Sequence, residues 1–217
     1  MNSKVLFNIS YGLYVISAKD EGRYAGCVVN TVSQATSKPV TLTVCVNKDN
    51  FTNSCIKKTK EFAVSILSEK AKETVFGIFG FSSSRDRDKF SEAPYSLTPS
   101  GLPYLNDGVT GYIQCKVIDF IDNYSHTIFI AEVQEAESLS VEPPMTYVYY
   151  RNVIKGKTPK NAPTYAGDAG KTASTEGKYI CGICGYEYNG GKGAFEKLSE
   201  DYRCPICGAP KNVFNYK

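Results

Sequence analysis

The sequence predicts a mainly β protein: a barrel of many short strands with a few helices against it, followed by a small module that depends on a metal. Three observations predict this. Strand-like apolar runs succeed one another from Leu13 to Tyr150 with two helical patterns among them. A stretch rich in Lys, Pro, Gly, Ala, Ser and Thr breaks the pattern over Lys155–Gly177. Two Cys-x-x-Cys pairs stand close together beyond it.

Alternating or β-branched side chains give strands at Leu13–Ala18, Tyr24–Val29, Val40–Val46, Phe62–Leu67, Tyr112–Phe120, Ile128–Val133 and Tyr147–Tyr150. Asn50 is placed to cap a helix over Phe51–Lys58. Ser68 is placed to cap another over Glu69–Gly80, where Ala71, Val75, Ile78 and Phe79 fall on one face. Strands with interposed helices suggest a barrel that the helices plug or flank, so residues 1–154 read as one mostly β domain. The Lys155–Gly177 stretch reads as a linker, at least from Gly167 on, with a span of about 25 Å if flexible. The forty residues 178–217 are too few to fold on apolar burial alone and must lean on their metal.

The 217 residues are 42% hydrophobic and 22% charged, which suits one medium domain and one small one with real cores. A net charge of +3 gives no ground for a nucleic-acid or membrane partner. Six basic and four acidic residues put +2 of it on the 178–217 module. No run of eighteen apolar residues marks a membrane span. The opening Lys4–Gly12 is interrupted by Asn8, Ser10 and Gly12 with no small-residue cleavage site after it, so a cytoplasmic chain is expected.

Four of the eight cysteines, Cys27, Cys45, Cys55 and Cys115, are scattered through the first half and read as small core hydrophobes. The others form the knuckles Cys181-Gly-Ile-Cys184 and Cys204-Pro-Ile-Cys207. Two residues between thiolates let one backbone turn offer both sulfurs to one ion, and two such turns complete a tetrahedral sulfur site. Gly185 and Gly208 follow where the chain must turn with positive φ. By spacing alone this is a zinc-ribbon pattern.

The flanks add to it. Lys178-Tyr-Ile-Cys-Gly-Ile-Cys-Gly-Tyr-Glu-Tyr188, Tyr202-Arg-Cys-Pro-Ile-Cys-Gly-Ala-Pro-Lys211 and Phe214 closely resemble rubredoxin. That resemblance implies one iron held by Cys181, Cys184, Cys204 and Cys207 beneath an aromatic core of Tyr179, Tyr186, Tyr188, Phe195, Tyr202 and Phe214. The chain departs from the family in a shorter segment between the knuckles, in Tyr202 where a tryptophan is usual, and in a basic rather than acidic module. None of these touches the ligands. A zinc clip that only folds the tail is the alternative.

In residues 1–154 there is little acid–base machinery: one histidine, no Walker loop and no G-x-G-x-x-G. There are instead hydroxyl, amide and basic clusters between strands, at Asn30–Pro39, at Asn47–Ser54 running into a helix start, and at Ser82–Phe90. Such groups bind a phosphate without a metal, although a polar run between strands is commonly a solvated turn. Together with Tyr11–Ile16, Ser125–Phe129 and Gly156–Tyr165, these segments resemble the flavin reductase-like family over about residues 3–165. The resemblance implies an FMN-binding split β-barrel over residues 1–165 that forms a homodimer. It leaves a flexible linker over 166–177 and the rubredoxin-like domain over 178–217. It further implies that Asn30, Thr31, Ser33 and Gln34 line the flavin ring, that Asn47, Lys48, Thr52, Arg85 and Lys89 hold its phosphate, and that His126 stands near the flavin and nicotinamide as the candidate catalytic, proton-managing residue. A hairpin histidine without that role is the other reading. Tyr11 and Tyr14 read as core aromatics.

The pairing of the two modules resembles the fused high-molecular-weight rubredoxin and NAD(P)H:rubredoxin-type oxidoreductase family of anaerobes. It implies electrons from NAD(P)H through FMN to a tetrahedral iron centre of four cysteines, and on to a flavodiiron-type reductase of nitric oxide or oxygen, or a similar redox acceptor. A flavoredoxin-like carrier without nicotinamide activity, or a flavin reductase with a zinc-ribbon interaction module, are the competing expectations.

Overall fold

The computed structural model describes residues 3–154, 156, 158–159, 162–165, 177–183 and 186–216. The barrel domain runs β1 (Tyr14–Asp20), β2 (Arg23–Val29), β3 (Val32–Ser37), β4 (Val40–Asn47), α1 (Phe51–Thr59), β5 (Glu61–Leu67) and α2 (Glu73–Phe81). It continues through the short β6 (Tyr95–Leu97) and β7 (Pro103–Leu105), the long hairpin of β8 (Val109–Asn123) and β9 (His126–Ser138), and α3 (Tyr147–Asn152). The tail contributes β10 (Tyr179–Cys181), α4 (Lys192–Glu196) and β11 (Phe214–Tyr216).

Seven strands form one antiparallel sheet in the order β2-β1-β5-β8-β9-β4-β3. Its two edge strands follow one another in sequence with only Asn30 and Thr31 between them. So short a connection reaches about 10 Å at most, so the two edges meet at that corner and the sheet is rolled into a split barrel. Within β1, Ile16 and Ala18 point into the barrel while Val15 joins a second core outside it. In β5, Phe62 and Val64 point inward and Leu67 outward. Burial on both faces is why these strands read as unbroken apolar runs.

Helix α1 closes the barrel with Cys55 and Ile56, both fully buried. Helix α2 covers the outside with Val75, Phe76, Ile78 and Phe79. Two glycines, Gly77 and Gly80, sit inside this nine-residue helix, each costing about 1 kcal/mol of helix propensity relative to alanine.

Five elements differ from the sequence expectation. Tyr147–Tyr150 is helical, because the Thr146 hydroxyl caps α3 by accepting from the Tyr149 amide at 3.1 Å. Tyr147 and Tyr150, three apart on one face, then bury in the second core. Helix α2 starts at Glu73 rather than Glu69, because Ser68 closes a turn onto Lys70 and Ala71 instead of capping. The polar Val32–Ser37 segment is an edge strand paired with β4, and the small β6–β7 hairpin has no counterpart among the expected strands. Cys27, Cys55 and Cys115 are buried and Cys45 half-buried, all as free thiols.

Of the expected 166–177 linker, residues 166–176 lie outside the described residues. The arm before it lies on the barrel: the Tyr147 hydroxyl pairs with Thr158 Oγ1 at 2.6 Å and accepts from Thr164 Oγ1 at 3.0 Å. The tail packs around buried Phe195 and Phe214, with Tyr179, Tyr186, Tyr188 and Tyr202 against them. Among the described residues, no helix is long and apolar enough to cross a membrane.

Candidate functional site

The barrel end where β4 runs into α1 gathers most of the polar residues singled out from sequence. Asn47 ends β4, is buried, and accepts from the Asp49 amide at 2.9 Å, shaping the turn that starts α1. Across the ladder it faces His126, the first residue of β9. The Lys48 amide donates to the Ser125 carbonyl at 2.9 Å, and Ser125 Oγ lies 2.9 Å from His126 Nδ1. Asn47, Lys48 and His126 therefore form one patch at the tip of the long hairpin.

Thr52 lies in the first turn of α1 and is turned inward, where it and Asn50 hydrogen-bond to the Cys27 thiol. Burial pushes that thiol up from its ordinary value against these contacts. Arg85 is exposed, and its guanidinium carbon lies 6.0 Å from the centre of the Phe51 ring. Arg23 stands over the same ring at 5.2 Å and donates to the Ser84 and Arg85 carbonyls. Sequence reasoning missed Arg23. It opens β2 after an ordinary Glu-Gly turn, and only the fold brings it to α1.

Lys89 is placed differently from the other basic candidates. It is 2% exposed and donates to the Gly26 carbonyl at 2.8 Å, with the Phe79 carbonyl at 3.4 Å. Burial lowers its pKa to about 8. Ser84 Oγ also bonds the Gly26 backbone, accepting from its N–H at 3.1 Å and donating to its carbonyl at 3.3 Å. Because β2 is an edge strand, Gly26 would otherwise present unpaired backbone groups. Ser84 and Lys89 thus pin the Ser82–Phe90 loop onto the barrel, which holds Arg85 near α1.

The second polar group runs along the barrel seam. Asn30 is buried at the β2–β3 corner and donates to Thr164 Oγ1 at 3.2 Å, tying the arm to the seam. Thr31 Oγ1 donates to the Cys45 carbonyl at 3.1 Å. Ser33 and Gln34 are exposed on β3, opposite Thr43 and Leu42. Those partners are four and five residues back along β4 from Asn47, roughly 13–17 Å at the strand rise. The candidates thus form two groups joined by one strand, a span suited to an elongated ligand with an anionic end. Tyr11 and Tyr14 pack against the two cores rather than into this seam.

In the tail, Cys181, Cys204 and Cys207 are all buried with their sulfurs within 4.8 Å of one another. Cys181 and Cys207 Sγ are 3.7 Å apart. A disulfide needs about 2.05 Å, whereas metal–sulfur bonds of about 2.3 Å at tetrahedral angles set sulfurs about 3.8 Å apart. The three thiols fit a tetrahedral metal, iron or zinc alike. Cys184 and Gly185 lie outside the described residues. Gly208 has φ +70°, as a turn behind the second ligand of a knuckle requires.

The sequence pattern of the family described as flavin reductase like domain matches residues 6–157. A high molecular weight rubredoxin from Moorella thermoacetica is 41% identical over 226 aligned positions, covering 99% of each chain. A ferric-chelate reductase (NAD(P)H) from Archaeoglobus fulgidus is 37% identical, covering 76% of this chain and 98% of its own. The structure of an NADH:FAD oxidoreductase from Streptomyces globisporus superposes with a TM-score of 0.60 at 23% identity, over 65% of this chain and 84% of that one, a likeness of fold.

Proposed function

The chain belongs to the flavin reductase-like domain family, and from that membership we propose an oxidoreductase that carries electrons from NAD(P)H through a bound FMN to a four-cysteine iron centre in its own tail. A flavin takes two electrons from a nicotinamide and releases them one at a time, which is what a one-electron iron centre needs. The observation that carries the reading is the convergence of three buried cysteine sulfurs in a chain whose barrel is of the flavin-reductase type.

In this reading Lys48 and Arg85, with Arg23 beside them, neutralise a phosphate at the start of α1, where the helix dipole and first-turn amides favour an anion. Asn47 shapes that turn, and Thr52 ties the first turn of α1 to the Cys27 thiol. Asn30, Thr31, Ser33 and Gln34 supply donors and acceptors along the seam for a polar ring edge. Lys89 serves the site indirectly, by holding the loop that carries Arg85. His126 stands at the hairpin tip, beside Asn47, as the titratable group nearest the nicotinamide. Cys184 joins Cys181, Cys204 and Cys207 as the fourth ligand by its spacing.

A homodimer is part of the proposal. Ile118 and Ile121 on the long hairpin are 58% and 55% exposed and Tyr124 at its tip 95%, an apolar surface that a second copy would cover. The proposed location is the cytoplasm, and the proposed acceptor a flavodiiron-type reductase of nitric oxide or oxygen. The test is a visible spectrum with metal analysis of the purified chain, before and after anaerobic NADH or NADPH. Flavin and ferric–thiolate bands that both bleach support the reading. A colourless tail carrying zinc leaves a flavin reductase with an interaction module, and bands that neither nicotinamide bleaches leave a carrier charged by another protein.

A further inference from the structure

Gly77 is buried in the middle of α2, and the atoms nearest to where its side chain would stand all belong to Ile206. Any side chain at this position would overlap the Ile206 carbonyl. Ile206 lies inside the second cysteine knuckle, so the knuckle rests its backbone on the bare backbone of a barrel helix. The contact has two further points. Phe81, at the end of α2, packs against the cysteine cluster. Arg87 Nη1 donates to the Cys207 carbonyl at 2.8 Å while the Glu92 carboxylate holds the other side of its guanidinium.

We propose that Gly77, Phe81 and Arg87 form a seat for the chain's own second knuckle, Cys204–Gly208, and make Cys207 the ligand that faces the barrel. The glycine accounts for a helix that gives up propensity at the point where the knuckle backbone meets it. The occupant is the knuckle of the same chain, because Arg87 meets a main-chain carbonyl immediately beside a metal ligand and Gly77 fits only a close backbone approach. Charge is not what docks the module: the tail is basic, and Arg87 finds its carboxylate within the barrel. Seating therefore depends on shape and one hydrogen bond, and hardly on salt.

The seat also joins the two sites. Arg87 lies two residues beyond Arg85 on the loop that Ser84 and Lys89 pin to Gly26. The proposed phosphate contact and the metal module thus share one anchored loop. The electron route this implies rests on the function proposed above, but the seat is a contact between two parts of the chain and is tested without it.

The experiment is hydrogen exchange on the full chain, following residues 75–81 and 204–209 at low and high protein concentration. We expect protection of both segments at either concentration, and a loss of roughly tenfold or more in residues 204–209 in Gly77→Val and Arg87→Ala, with flavin and metal content unchanged. Should Gly77→Val fail to fold, Gly77→Ala, which favours the helix, decides: lost protection in 204–209 with α2 still protected supports the seat. Unchanged exchange in these variants overturns it. Protection that grows with protein concentration also overturns it, placing a second copy's knuckle there. A chain without a redox-active metal would refute the electron route while leaving the exchange result readable.

Discussion

Lys89 keeps an ammonium where water does not reach it, held by two backbone carbonyls. Burial lowers its pKa from 10.5 to about 8, so between those values the unfolded chain binds a proton that the folded chain has released. Stability from this group therefore rises with pH across that window, by at most about 1.4 kcal/mol per unit. Denaturant unfolding of the wild type and Lys89→Met should show this as a difference that grows from pH 8 towards 10.5; a pH-independent difference would place the ammonium in solvent. Arg85 is exposed, so its contribution to anion binding is modest. Arg85→Ala should weaken FMN binding roughly tenfold in a flavin-fluorescence titration and leave the fold intact. Cys204→Ser should abolish metal–thiolate absorption while flavin stays bound, since Cys181, Cys204 and Cys207 cluster in the tail's own core and not in the seam; flavin lost with the metal would contradict two separate sites.

Helix α3 shows how a single cap overrides propensity. Tyr-Val-Tyr-Tyr is a strand-forming run, but Thr146 before it accepts the Tyr149 amide and turns both buried tyrosines to one face. Thr146→Ala should cost about 1 kcal/mol and lower the barrel's melting temperature by roughly 2–4 °C, measured by circular dichroism; no change would mean that packing alone holds α3. Strands β1, β2, β4, β5, β8 and β9 were legible because apolar, aromatic and β-branched side chains recur along them in alternating or continuous runs. The edge strand β3 was not, because its side chains are polar on a surface that only backbone pairing to β4 makes a strand. The convergence of Cys181, Cys204 and Cys207 was legible from the Cys-x-x-Cys spacing, since the geometry of such a turn is local. Arg23, the inward turn of Lys89 and the Gly77–Arg87 seat were not. Each depends on partners brought together by folding, 61 residues apart for Arg23 and Ser84 and 120 for Arg87 and Cys207.

At the scale of the molecule, the barrel and the tail differ in what holds them. The barrel has two apolar cores and a rolled seven-stranded sheet. The tail has one small aromatic cluster gathered around cysteines, and such a module needs its metal to stay folded. Joining them in one chain raises the effective concentration of one site at the other, and the seat on α2 fixes how they meet. Transfer inside one chain is decided by rapid mixing of the oxidised protein with NADH under anaerobic conditions, watching the flavin and ferric–thiolate bands separately. Flavin should bleach first, and the iron band should follow at a rate independent of protein concentration. An iron band that stays oxidised while flavin bleaches, or one that bleaches faster as protein concentration rises, would contradict transfer within a single chain.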